Sequence, residues 1–228
     1  HFITVVEDIE ERKRTEAQIA ALNTRLQRAM TETHHRVKNN LQIIASMVDM
    51  QILDGRESLP IEEVRRLRRH VQTLAAVHDL LTDQAKADGS AQCVSARAVL
   101  VKLVPLLREA VSNRQIRMSQ TDATVTARQG TSIALVANEL INNAIKHGAG
   151  DVCVGLTSEG ETATLEVTDG GPGFPAGFDQ SQQETTGLEL VTSLARWDLN
   201  GDVAFDNVEH GGARVRVTFP LADPRPDS

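Results

Sequence analysis

Two short segments hold the side chains best suited to moving a phosphoryl group. The first is His34-His35-Arg36-Val37-Lys38-Asn39-Asn40-Leu41-Gln42. A neutral imidazole can attack a γ-phosphoryl group, and it works best when its other ring N–H is held. Glu32 stands three residues before His35, within reach on a helix, and Asn39 stands one turn after it, where a carboxamide could position water. The second segment is Asn138-Glu139-Leu140-Ile141-Asn142-Asn143-Ala144-Ile145-Lys146-His147. Glu139 and Asn143 are one helical turn apart and so share a face. A carboxamide oxygen suits Mg²⁺, which takes oxygen donors and keeps phosphates in its shell. A carboxylate one turn away can orient or deprotonate a nucleophile. Lys146 and His147 follow at the helix end, placed for phosphate contact. Taken alone, Glu139 and Asn143 fit an amphipathic helix with a solvated polar face equally well.

Three further pieces narrow the reading. Asp169-Gly170-Gly171-Pro172-Gly173 follows an alternating strand pattern, Leu165 and Val167 against Glu166 and Thr168. A carboxylate at a strand end can accept the exocyclic amine of adenine, and the glycines let backbone approach a nucleotide closely. Thr185-Thr186-Gly187-Leu188 is a loop-to-helix junction, where a glycine at a helix start favours phosphate. Gly211-Gly212 precedes the last strand and reads as a turn.

The elements that must position these groups fall into two parts. Apolar residues recur at three-and-four spacing from Ile19 through Leu22, Leu26, Met30, Val37, Leu41, Ile44 and Val48 to Ile52. Asp54-Gly55 marks a turn, and Ser58 and Pro60 suit a new helix start. Val64, Leu67, Val71, Leu74, Val77 and Leu81 continue the spacing, which predicts a long helical hairpin. One hairpin cannot cover both stripes, so a homodimeric four-helix bundle is expected. The Arg65-Arg66-Leu67-Arg68-Arg69 run reads as a solvated helix face that an acidic receiver domain could meet. Residues 2–6 read as a short strand, and residues 84–94 as a linker. Beyond it the pattern turns to mixed helix and strand: a helix capped by Ser95, strands near 116–119 and 124–127, a helix over 131–147, and strands over 151–157 and 162–168. A helix over 188–199 and strands near 203–205 and 213–219 complete an α+β sandwich, one mixed sheet with helices on one face.

Composition excludes several classes. The net charge of −7 argues against nucleic acid, which needs a basic face. Aromatics are only 3%, with no Tyr, so stacking platforms for single strands are absent. Cys93 and Cys153 make neither a metal cluster nor a disulfide framework, which suits a reducing cytoplasm. No apolar run approaches the ~20 residues of a membrane span. The chain starts without Met inside an apolar run, as a piece of a longer protein would.

The later motifs, in this order and spacing, resemble the ATP-binding domain shared by histidine kinases, gyrase B and MutL (the Bergerat fold) over about residues 95–220. The resemblance implies ATP and Mg²⁺, with Asp169 reading adenine, Asn143 holding the metal and Glu139 beside it. Lys146, His147, Gly171, Gly173, Gly187 and Leu188 then line the nucleotide. Thr185 stands where the family's second glycine box has its first Gly. The His34–Leu41 segment resembles the acceptor box of HisKA_2 sensor histidine kinases, whose acceptor is the His before Arg, here His35. The related HWE class carries Trp-x-Glu where this chain has Thr164-Leu165-Glu166. Phe2 to Lys13 resembles the end of a PAS domain and its exit helix, with Val6 where flavin-binding members carry Gln. The resemblance implies a cytoplasmic transmitter that autophosphorylates on His35, aided by Glu32 and Glu139, and passes the phosphoryl group to an Asp of a response-regulator receiver domain. The implied parts are a PAS end and linker helix at 1–15, a dimerisation and phosphotransfer hairpin at 16–86 and a catalytic domain at 92–222. A nucleotide-binding dimeric scaffold without catalysis, and a gyrase-like ATPase, are the competing readings.

Overall fold

The computed structural model describes residues 2–53, 60–88, 93–108, 114–119, 121–178, 186–209 and 211–221. The chain divides into two compact units, residues 1–43 and 44–228. Helix α1 (Phe2–Leu53) is one uninterrupted element. The strand expected over residues 2–6 is therefore helical backbone. Each β-branched residue in that run costs a helix only a few tenths of a kcal/mol, less than an attached helix gains by propagating through it. The expected turn at Asp54-Gly55 lies outside the described residues. Helix α2 (Ile61–Asp88) starts on Pro60, whose carbonyl accepts from Glu63 N at 3.0 Å.

Strand β1 (Cys93–Ser95) and β3 (Thr124–Thr126) form a two-stranded antiparallel ribbon. β1 falls within the stretch read as linker, because three residues carry too little alternation to register as a strand. Helix α3 (Ala96–Arg108) begins as expected on Ser95, whose Oγ accepts from Ala98 N at 2.9 Å and donates to Asp122 Oδ2 at 2.6 Å.

The main sheet has the order β2-β4-β5-β7-β6. Its strands are β2 (Ile116–Met118), β4 (Val152–Glu159), β5 (Thr162–Thr168), β6 (Asp202–Asn207) and β7 (Ala213–Pro220). Only the β2–β4 pair is parallel, so the sheet is mixed, as expected. Ala163, Leu165 and Val167 of β5 and Val215, Val217 and Phe219 of β7 are buried on one face.

Helix α4 (Ala127–His147) lies against that face. It starts four residues before the expected boundary because Thr126 and Gln129 form a capping box: Thr126 Oγ1 accepts from Gln129 N and Gln129 Oε1 accepts from Thr126 N, both at 3.2 Å. It is buried nearly all round, with Ile133, Ala134, Leu135, Val136, Ala137 and Ile141 sealed from solvent. Its far end is held by Arg114, whose Nη1 donates to the carbonyls of Ala144, Ile145 and Gly148 at 2.9, 3.0 and 3.2 Å. A guanidinium on these orphan carbonyls also offsets the helix dipole. Helix α5 (Thr186–Ser193) runs into a π-helical turn (Leu194–Asp198) that leaves Trp197 on the surface, tied beside it by Arg128 Nη2 to Asp198 at 2.6 Å.

Helix α2 packs on α4 and α3 through Leu74, Val77 and Leu81. Val64 and Val71 of its expected stripe are exposed instead, as is Ile61 at its start.

Candidate functional site

A pocket of about 490 Å³ opens where the C-terminal half of α4 meets the end of β5, the start of β7, the 173–178 segment, the first turn of α5 and the first half of α2. Glu139, Asn143, Lys146, His147, Asp169, Gly173, Gly187 and Leu188, all expected from sequence, line it together. Gly171 stands behind Asp169 rather than in the wall. His35 and Glu32 are on the helical backbone of α1, and their side chains lie outside the described residues.

Sheet register fixes the Asp169 end. Thr168 pairs with Arg214, and Asp169 N donates to Ala213 O at 3.1 Å. Asp169 Oδ1 accepts from Gly171 N at 2.6 Å, which sets the carboxylate's orientation, and Oδ2 takes no hydrogen bond among the described residues. Glycine is required here by close approach: a Cβ on Gly171 would sit 2.7 Å from Gly148 Cα and from Asp169 Oδ1. Gly173 adopts φ +78°, and its Cβ would meet Asn207 Oδ1 at 2.5 Å. Asn207 on β6 clamps the next residue, accepting from Phe174 N at 2.6 Å and donating to Phe174 O at 3.0 Å. Phe174, Phe178 and Phe205 cluster with centroids 4.5 to 5.9 Å apart, and the first two face the pocket. Gly211-Gly212 is the turn between β6 and β7, as expected, with Val208 N donating to Gly212 O at 2.9 Å.

At the other end the two asparagines differ. Asn142 is buried, and its Nδ2 donates to Asn138 O at 2.7 Å and Asn138 Oδ1 at 3.0 Å. Asn143 is half-buried and makes no hydrogen bond among the described residues, so its carboxamide oxygen is open to a hard cation. Lys146 and His147 are exposed in the last turn of α4, on the same pocket wall. Thr185 and the preceding loop lie outside the described residues, and the backbone resumes at Thr186 in α5.

Glu139 does not lie on a solvated helix face. It is 3% exposed, and its Oε1 meets His70 Nε2 at 2.5 Å and Arg66 Nε at 3.2 Å. Arg66 Nη1 also reaches Glu63 Oε2 at 3.2 Å. Burial pushes the Glu139 carboxyl up, but the His70 hydrogen bond and the Arg66 guanidinium outweigh it, leaving the group below the usual glutamate range. The Arg65–Arg69 run is thus not wholly a solvated face. Arg65 and Arg68 are exposed, whereas Arg66 and Arg69 turn inward and line the pocket. The signal was in the spacing: Glu63, Arg66, Arg69 and His70 recur at three-and-four intervals, a polar stripe on one side of α2. Phe174 and Phe178 were also missed, although they follow the glycine-rich segment directly. So was Arg114, whose partners are carbonyls that no sequence motif marks.

Sheet order, the capped central helix and this pocket define an ATP-binding domain. A family model described as histidine kinase-, DNA gyrase B- and HSP90-like ATPase matches residues 128–223, and the HisKA_2 histidine kinase model matches residues 32–111. The sensor histidine kinase PdtaS of Mycolicibacterium smegmatis is 29% identical over 231 residues, covering 95% of this chain and 44% of the relative. The blue-light-activated histidine kinase 2 of Erythrobacter litoralis is 25% identical over 209 residues, 87% of this chain and 59% of the relative. Among solved structures, a blue-light-activated histidine kinase of Erythrobacter litoralis shares the fold with a TM-score of 0.66 at 21% identity, over 85% of this chain and 59% of that one. By these matches residues 32–111 belong with the HisKA_2 histidine kinases and residues 128–223 with the histidine kinase-, DNA gyrase B- and HSP90-like ATPases. The chain spans less than half the length of the mycobacterial PdtaS proteins it matches.

Proposed function

We infer that this chain is the transmitter of a sensor histidine kinase, labelling itself on His35 from ATP and handing the phosphoryl group to an aspartate of a response-regulator receiver domain. In this reading residues 1–15 end a PAS sensor and carry its linker helix, 16–86 dimerise and hold the acceptor, and 92–222 bind nucleotide. The observation that carries it is one pocket lined by both an oriented carboxylate, Asp169, and a carboxamide with no hydrogen bond among the described residues, Asn143. Asp169 Oδ2 would accept the exocyclic amine of adenine. Asn143 would hold Mg²⁺, and Lys146 and His147 would meet phosphates, with Gly187 and Leu188 at the start of α5 beside them. A bound Mg²⁺ supplies charge neutralisation on the phosphates. A ring nitrogen of neutral His35 attacks the γ-phosphorus in line as the bond to the bridging oxygen breaks and ADP leaves. Glu32 and Glu139 are the carboxylates that orient the imidazole and accept its proton.

The exposed Ile61, Val64 and Val71 on α2 support a second copy of the chain as the partner that covers them, since burying each such side chain is worth about 1.5–3 kcal/mol. Among the described residues no helix is long and apolar enough to cross a membrane, which supports a cytoplasmic site of action. Incubation with γ-labelled ATP tests the reading. Acid-labile label should appear on the wild type, vanish in His35→Ala with ATP binding intact, and chase to a purified receiver domain. Label that survives in His35→Ala but vanishes in His34→Ala would move the acceptor to the other ring.

A further inference from the structure

Arg114 stands between α3 and β2, behind the Asp169 end of the pocket. The sheet edge fixes its place: Val152 N donates to Gln115 O at 2.9 Å, Gln115 N donates to Asp151 Oδ1 at 3.2 Å, and Ile116 pairs with Val152. From there Nη1 donates to the carbonyls of Ala144, Ile145 and Gly148, and Nε donates to Gly150 O. Offsetting the α4 dipole needs only the Nη1 contacts. The Nε contact lies past the helix and serves the Gly148–Gly150 turn. A planar guanidinium can hold both at once, which a single ammonium cannot.

The other side of that turn meets the 169–171 segment. Gly170 N donates to Ala149 O at 2.8 Å. A Cβ on Gly148 would overlap the Asp169 carboxyl carbon, and one on Gly171 would stand 2.7 Å from Gly148 Cα and 2.9 Å from Ala149 N. Backbone 148–150 is thus sandwiched between Arg114 and the segment whose Gly171 N–H orients Asp169, without room for a methyl group. Asp169 and Gly148 line the pocket, whereas Arg114 does not. Its influence on a nucleotide runs through the turn.

We propose that Arg114 is a positioning residue for base recognition: through the Gly148–Gly150 turn it fixes where the Asp169 carboxylate stands, and so sets the preference for adenine over guanine. This rests on the reading of Asp169 as the group that accepts the adenine amine. N–H···O bonds keep to about 2.7–3.2 Å, so a small displacement of the carboxylate is felt at that amine. Guanine offers a carbonyl there, gains nothing from a well-placed carboxylate and loses nothing when it moves.

The test uses the whole chain with Arg114→Met and Arg114→Lys, read by calorimetry for ATP and GTP affinity at a temperature where circular dichroism shows each variant folded. Arg114→Met should weaken ATP by about fivefold or more and GTP by less than about twofold, narrowing the ratio between them. In an Asp169→Ala background the same substitution should change ATP affinity by less than about twofold, because the group it positions is gone. Arg114→Lys keeps a cation near the α4 carbonyls without the fork, and its selectivity should fall with that of Arg114→Met. Wild-type selectivity in Arg114→Lys beside a loss in Arg114→Met would make charge at the helix end the source and overturn the proposal. Equal losses for ATP and GTP, or the same ATP loss with and without Asp169, would reduce Arg114 to a structural residue and overturn it too. If Arg114→Met does not fold, the ratio in Arg114→Lys decides. A wild type that binds ATP and GTP alike would overturn Asp169 as the base reader and this proposal with it, whereas wild-type selectivity that survives in Arg114→Met overturns this proposal alone.

Discussion

The Asp169 end and the Glu139 end of the pocket are built by different means. Around Asp169 the main constraints are the sheet and the turn beside it: the β5–β7 register, the Asp169–Ala213 backbone bond, the Gly171 N–H on Oδ1 and the Asn207 clamp on Phe174. These contacts need nothing from the hairpin. Around Glu139 the constraints come from α2 and from the first turn of α5, two segments joined to α4 only through long stretches of chain. One end is set by strand pairing within one domain, whereas the other depends on where separate helices stand.

Substitutions at the two ends should therefore differ in kind. The largest effect is expected at the sheet-built end. Asp169→Ala removes a charge-assisted acceptor and should weaken ATP by about 10- to 100-fold, corresponding to roughly 1.5–3 kcal/mol, in calorimetry. An unchanged Kd would show that Asp169 does not read the base. Next comes selectivity. Guanine presents a carbonyl where adenine presents its amine, so GTP should bind at least about tenfold more weakly than ATP in competition, and Asp169→Ala should erase most of that ratio.

A third comparison sits within α4. Asn143→Ala should remove the Mg²⁺ dependence of ATP binding while leaving the melting temperature near wild type. Asn142→Ala should do the reverse. It strips a buried donor from Asn138 and should cost about 1–2 kcal/mol, or a few degrees of melting temperature, with Mg²⁺-dependent binding retained. Interchanged phenotypes would reverse the assignment.

The smallest effect is expected far from the pocket, at Asp122. Partial burial pushes its carboxyl up, but the Ser95 hydroxyl and the backbone N–H groups of Arg97 and Ala123 outweigh that and hold it below the usual aspartate range. A carboxyl with a depressed folded-state value stabilises above its unfolded value and loses that contribution as pH falls through the folded one. Asp122→Asn should thus lower the melting temperature slightly at neutral pH, with the difference shrinking below about pH 4. A gap that stays constant down to pH 3 would count against the charge as its source.

The sheet and its helices were legible because their patterns are local. β5 falls at its expected boundaries since Ala163, Leu165 and Val167 alternate cleanly with Thr164, Glu166 and Thr168. Glu139, Asn143, Asp169 and Gly187 could be named because their spacing encodes which faces meet a nucleotide. Thr126-x-x-Gln129 marks the start of α4 through capping chemistry, which the apolar period does not carry. The strand expected over residues 2–6 failed because β-branched composition speaks to local preference, while helix α1 extends by propagation. The engagement of Glu139 by Arg66 and His70 joins residues about seventy positions apart. Either partner alone reads as a surface charge, and only tertiary packing shows that it is not.

The π-helical turn after α5 has a use of its own. It carries Trp197, the chain's one tryptophan, in a sequence with no tyrosine, and leaves that indole 77% exposed. Its emission is therefore a single-site optical signal. It reports on a helix whose opposite end, at Gly187, touches Glu139. Nucleotide titrations and stopped-flow mixing can therefore be read at this one indole in the unlabelled protein, with no engineered probe and no second indole to subtract.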